Sequence, residues 1–115
     1  QISVVNGRGK ELSNKALTRK KFAEFLGKQK LSLVAFESCA TAHYWARAAE
    51  RHGHEARIIP AKAVAPFRQG HKTDSNDALA VAEAARRPNI KDAPIKTIEQ
   101  QGLQAMLRAR DRLIQ

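Results

Sequence analysis

The sequence contains one cysteine, Cys39. With no second thiol there can be neither an internal disulfide nor a zinc ribbon, and a reducing cytoplasm is the expected compartment. Cys39 itself reads as a small buried residue beside a strand end. No run approaches the ~18 apolar residues of a spanning helix, and no basic helix carries a broad face of large apolar residues, so no membrane partner is expected. No glycine-rich phosphate loop follows an apolar run, which argues against a small-molecule domain of flavodoxin type. Aromatic residues are only 5% of the chain, so a core must rest on Ala, Leu, Val and Ile. Acids are also scarce. Eleven Asp and Glu stand against 21 Lys and Arg, a net charge of +10. A field of that sign attracts polyanions, with nucleic acid the first candidate.

What is present suffices for one compact domain of 115 residues. The first residues, Gln1-Ile2-Ser3-Val4-Val5, offer neither an initiator Met nor a charged leader, so a longer parent protein is expected. Ile2 and Val4 alternate with polar neighbours, and Asn6-Gly7-Arg8-Gly9 supplies a turn before a second short segment around Leu12, which predicts a β-hairpin. Thr18 can cap a helix over 18–27, with Phe22, Phe25 and Leu26 on one face and Gly27 as a left-handed C-terminal cap. Leu31 to Phe36 is a nearly continuous apolar run that predicts a central strand buried on both faces. Ala42, Trp45, Ala46 and Ala49 mark a helix ended by Gly53, and Ala56-Arg57-Ile58-Ile59 before Pro60 predicts the next strand, parallel to the first. Trp45 reads as a core anchor, while His43, His52, His54 and His71 fit no zinc spacing and read as structural or solvent-facing.

Residues 61–73 contain no acid and read as a basic loop with at most a short helical turn. A third helix over 74–87 stops at Pro88, and Pro94 precedes Thr97-Ile98-Glu99-Gln100, a capping-box pattern that opens a last helix. In that last helix Leu103, Met106 (or Leu107), Arg110 and Leu113 lie near a heptad spacing, a run too short for a coiled coil.

Candidate chemistry sits at two places. Glu37 follows the central strand, and ligand sites of parallel sheets form outside the carboxyl ends of their strands. On the third helix Ala78, Val81, Ala82 and Ala85 form an apolar stripe, and at 100° per residue Asp74 projects near its middle and Asp77 at its edge. A helix needing only solubility would turn both acids outward, because burying an unpaired ion costs several kcal/mol. The bland alternative is that Asp74 is an N-cap and Asp77 its N3 partner, both favoured by the helix dipole. With a strand-end Glu and a basic neighbourhood, the set also suits nucleotidyl transfer, in which carboxylates hold Mg²⁺ about a phosphate. Lys62, Arg68, His71 and Lys72 are then candidate backbone contacts, against the alternative of a solvated charge run.

Phe36-Glu37-Ser38-Cys39, the run from Gly53 to Lys62, and above all Lys72-Thr73-Asp74-Ser75-Asn76-Asp77-Ala78 resemble the DEDD transposases of bacterial insertion sequences, among them the pilin-gene invertase. The segment from Glu99 to Leu113 is similar to the start of that family's helical insert. The resemblance implies an α/β, ribonuclease H-like (RuvC-like) mixed sheet flanked by helices, spanning residues 1–95 without its first strand, with the helical insert starting over 96–115. Glu37, Asp74 and Asp77 match the second, third and fourth acids of the motif. They are the implied catalytic residues and ligands for Mg²⁺ or Mn²⁺ in DNA strand cleavage and transfer. The first Asp would precede Gln1, and a domain carrying a nucleophilic serine would follow Gln115, so this stretch alone is expected to be inactive. The family brings further expectations: DNA as partner, for some members a structured guide RNA, a homo-oligomeric full-length form, and a bacterial cytoplasmic location. The competing function is a non-catalytic basic nucleic-acid-binding α/β module, which would bind DNA in a salt-sensitive way, ignore Mg²⁺ and survive Asp77→Ala.

Overall fold

The computed structural model describes residues 1–71 and 73–102. Strands β1 (Ile2–Val5) and β2 (Glu11–Lys15) pair antiparallel as the expected hairpin. Its turn is built by Asn6, whose Oδ1 accepts from the backbone N–H of Arg8 and Lys10, and by Gly9 at φ +86°, where a side chain would be strained. Helix α1 (Arg19–Lys28) is capped by the Thr18 hydroxyl, which accepts from Lys21 N–H. The expected left-handed cap at Gly27 does not form. The helix runs through Gly27 and ends at Gln29, which leaves in extended conformation at φ −68°, so no positive φ is required.

Strand β3 (Leu33–Glu37), helix α2 (Ala42–Arg51) and strand β4 (Glu55–Ile59) form the predicted parallel crossover, in register from Leu33 opposite Glu55 to Glu37 opposite Ile59. Gly53, at φ +86°, reverses the chain after α2 as expected. The stretch after β4 is more ordered than the expected loop, with helix α3 (Ala61–Val64) running into a 3₁₀ turn (Ala65–Phe67). Helix α4 (Asp74–Ala85) follows. Thr97 and Gln100 form the anticipated reciprocal capping box, each side chain accepting from the other's backbone N–H, and residues 98–102 begin a helix. Its proposed seam of Leu103, Met106 and Leu113 lies outside the described residues.

Few large side chains are available, and the packing shows it. Among the described residues only Leu26, Ile58, Ile59 and Val64 are large and fully buried, and the other buried hydrophobic residues are Ala42, Ala46, Ala48, Ala49, Ala80, Ala84 and Ala85. Alanine lets helices approach closely. Ala80 and Ala84 of α4 pack with Ile59 and Val64, and Ala48 and Ala49 of α2 with Leu26. Trp45 is a core anchor as expected, its ring 4.7 Å from that of Phe22.

Two expectations about β3 change. Leu31 lies outside the strand and is 76% exposed, and Leu33 is 43% exposed, so the strand is not buried on both faces. The sheet is also not continuous: β1–β2 and β3–β4 are separate two-stranded sheets. The far side of β4 is covered by a bridge from Ile58 to Ala93, whereas β1 and β3 both border an open apolar cavity of about 780 Å³. Helix α4 packs against both sheets across that gap. The stripe of Ala78, Val81, Ala82 and Ala85 read from the sequence lines the cavity, while a second face, Ala80 and Ala84, makes the buried contact. Cys39 stands beside the strand end as expected but is exposed, because the turn after Glu37 runs over the surface.

Candidate carboxylate site

Glu37 is the last residue of β3, and its backbone position is fixed by pairing with Ile59 and by the Ser38 N–H donating to the Ile59 carbonyl. Asp74 and Asp77 occupy the first turn of α4. The cap of that helix is Thr73, whose hydroxyl accepts from Asn76 N–H at 3.2 Å, so Asp74 is not the N-cap that the bland reading required. The three acids line one small cleft together with Gln1, Ala78 and Val81.

Arg68, just past the 3₁₀ turn, bridges two of them. Its Nε donates to Asp77 Oδ1 and one terminal nitrogen to Glu37 Oε2, both at 2.8 Å. All three side chains are about 70% buried, with exposures of 28% for Arg68 and Asp77 and 32% for Glu37. The two carboxylates hold the guanidinium pKa above its ordinary value, with the Asp77 hydrogen bond the largest cause. Asp74 lines the same cleft, is exposed, and stands outside this ion-pair network.

The donor set is all carboxylate oxygen, which suits a hard divalent cation. Among the described residues no group of three or more His, Cys, Asp or Glu is close enough to hold a metal. Two carboxylates converging on one positive charge nevertheless fit Mg²⁺, which commonly takes one or two protein carboxylates and completes its shell with water and phosphate.

The candidate nucleic-acid contacts are divided. Lys62 on α3 and His71 are exposed. Arg68 is turned inward onto the acids. Lys72 lies outside the described residues. Arg68 as the partner of the acids was not specified by the sequence, although its place in an acid-free run just before Asp74 was visible.

The histidines are structural where their partners are described. His54, 4% exposed, accepts at Nδ1 from Ser32 N–H and meets the Leu26 carbonyl at Nε2, tying the end of α1 to the start of β3. His43 accepts at Nδ1 from Lys96 N–H, which requires an unprotonated Nδ1. Burial, and then the charges of Lys96 and Arg47, lower its pKa below the ordinary 6.5. As pH falls, the unfolded chain therefore takes up this proton before the folded one does. The contribution to stability is complete above about pH 6.5 and is lost on acidification below it. The unfolding midpoint should thus fall more between about pH 7 and about pH 5 in the native chain than in His43→Gln, and equal falls would contradict the assignment.

Among the described residues no helix is long and apolar enough to cross a membrane. The family profile of the IS110-type DEDD proteins, described as transposase, matches residues 1–115. The chain is 39% identical over 114 residues to a "Probable family 20 transposase" of Pseudomonas aeruginosa, covering 99% of this chain and 34% of that protein. It is 37% identical over 106 residues to the transposase for insertion sequence element IS1328 of Yersinia enterocolitica, 92% of this chain and 32% of the relative. With the transposase for insertion sequence element IS1111A of Coxiella burnetii the identity is 33% over 114 residues, 99% and 31% respectively. The chain therefore spans about a third of the length of these relatives. No solved structure matches it.

Proposed function

The chain belongs to the IS110-type DEDD transposase family, and from that premise we propose that it is part of a ribonuclease H-like catalytic domain performing metal-dependent DNA strand cleavage and transfer. The observation that carries this reading is the meeting of Glu37, Asp74 and Asp77, from a strand end and a helix start 37 residues later in the chain, in one cleft of a strongly basic protein.

Glu37 and Asp77 are the principal ligands in this reading, with Asp74 at the open side of the cleft. A bound Mg²⁺ or Mn²⁺ would polarise the scissile phosphate and acidify the attacking hydroxyl. The chain's own part is positional. The β3–β4 register sets Glu37, and the Thr73 cap sets the first turn of α4, which carries Asp74 and Asp77. The exposed Lys62 and His71, and Lys72 by its place in the sequence, are the proposed contacts to backbone phosphates.

The two small sheets are best understood as halves of one. Both bordering strands have an unpaired edge on the cavity, α4 spans it, and its lining is mostly apolar, so one further strand between β1 and β3 would join the halves into a mixed sheet. By the family resemblance that strand carries the first Asp, without which residues 1–115 should be catalytically silent. A guide RNA and a homo-oligomer remain part of the proposal for the whole protein only.

The experiment compares cleavage with binding. The whole transposase should nick DNA carrying the element's ends in Mg²⁺ and stop in chelator, while salt-sensitive duplex binding continues in both. Binding without any metal-dependent nicking would favour the non-catalytic module instead.

A further inference from the structure

The guanidinium of Arg68 stands where the carboxylates of Glu37 and Asp77 converge, 2.8 Å from each. Two like charges on facing elements repel, and among the described residues the ion pairs of Glu37 and Asp77 are both with Arg68. The bridge spans three elements, the end of β3, the first turn of α4, and the loop between the 3₁₀ turn and α4. An arginine cannot leave such a site by losing its proton, because guanidinium stays charged at any physiological pH. If a divalent cation enters, repulsion between the two positive charges pushes Arg68 off the carboxylates, toward solvent or another anion. The nearest anion that the chemistry supplies is the phosphate backbone of the nucleic acid that the cation itself engages.

We propose that Arg68 is a positioning residue with two alternative partners: it holds Glu37 and Asp77 together before metal enters, and is displaced from them onto a backbone phosphate when metal and DNA are bound. The proposal rests on the metal-dependent reading of the site. It adds a residue that competes with the metal and a coupling between metal binding and phosphate contact. It also accounts for a cation in the basic loop pointing inward. Arginine suits this role better than lysine, since its planar fork can serve two carboxylates at once and later one phosphate in bidentate fashion.

The test titrates Mn²⁺ into the whole protein, without DNA, by calorimetry or by loss of the free-ion resonance. Arg68→Gln, Arg68→Lys, Glu37→Gln and Asp77→Asn are compared with the native protein. Arg68→Gln should bind Mn²⁺ roughly tenfold tighter or more, because a unit charge at ion-pair distance is removed from the site. Arg68→Lys should fall between, and Glu37→Gln and Asp77→Asn should lose the site. Tighter binding cannot result from a damaged fold, so this readout separates positioning from mere structural support. In the second arm, duplex affinity is measured against salt with and without Mn²⁺. The native protein should gain about one phosphate contact with metal, a steepening of the log–log slope by about 0.9, and Arg68→Gln should not. If Arg68→Gln binds Mn²⁺ no tighter than the native protein while Glu37→Gln and Asp77→Asn abolish binding, the competition is refuted and the metal site stands. If Glu37→Gln and Asp77→Asn bind Mn²⁺ like the native protein, the metal reading itself fails.

Discussion

Replacing His54 by alanine should destabilise the domain by about 2 to 4 kcal/mol, since an unsatisfied buried partner costs about 1 to 3 kcal/mol and two are created. The Ser32 N–H and the Leu26 carbonyl both lose their partner, and a cavity opens beneath a residue only 4% exposed. Either group can recruit water, which keeps the total below the sum of two full penalties. A domain of this size is stable by about 5 to 15 kcal/mol, so the unfolding midpoint should drop by roughly 10 °C or more. Chemical denaturation of the native chain and the variant measures it directly. A loss below about 1 kcal/mol would show that His54 does not clasp α1 to β3.

Asp77→Asn should have the larger effect on chemistry. On the proposed metal-dependent reading it should lower strand cleavage by the whole protein by roughly 10²- to 10⁴-fold, the factor that corresponds to losing several kcal/mol of metal-borne stabilisation. The amide keeps the size and the place of the side chain in the first turn of α4, so salt-sensitive DNA binding should stay close to native. Asp74→Asn should be milder in metal binding, because Asp74 is exposed and lies outside the Arg68 network. Cleavage rates on DNA carrying the element's ends, at saturating Mg²⁺, separate these outcomes. Near-native cleavage by Asp77→Asn would remove that residue from the reaction.

The parts of the fold legible in the sequence were those with local signals. Asn6-Gly7-Arg8-Gly9 announced the hairpin, Gly53 the turn between α2 and β4, and Thr97 with Gln100 the capping box. The misreadings have physical causes. The apolar run from Leu31 carries no mark of where pairing begins, and pairing begins only at Leu33 opposite Glu55. Gly27 can form a left-handed cap but also tolerates the helix interior, so its presence did not decide between them. Helix α4 is apolar on two adjoining faces, so a periodic stripe alone does not say which part meets the core and which the cavity. At the proposed site, Glu37 stands at a strand end and Asp77 is half-buried at the start of α4 as read, whereas Asp74, projected near the middle of the apolar stripe, is exposed because it sits at the very first position of the helix. Arg68 as counter-ion of Glu37 and Asp77 was not visible in the sequence, because nothing in a one-dimensional pattern says which cation of a basic loop turns inward.

The central claim of the proposed function is that Glu37 and Asp77, with Asp74 at the open side of their cleft, hold a divalent cation, and paramagnetic Mn²⁺ tests it most directly. Traces of Mn²⁺ added to the isotopically labelled whole protein should broaden the resonances of Glu37, Asp77 and their neighbours Ser38 and Ala78 first, with Asp74 close behind, and excess Mg²⁺ should reverse the effect. Asp77→Asn should suppress it. Broadening centred elsewhere, or unchanged in Asp77→Asn, would contradict the account.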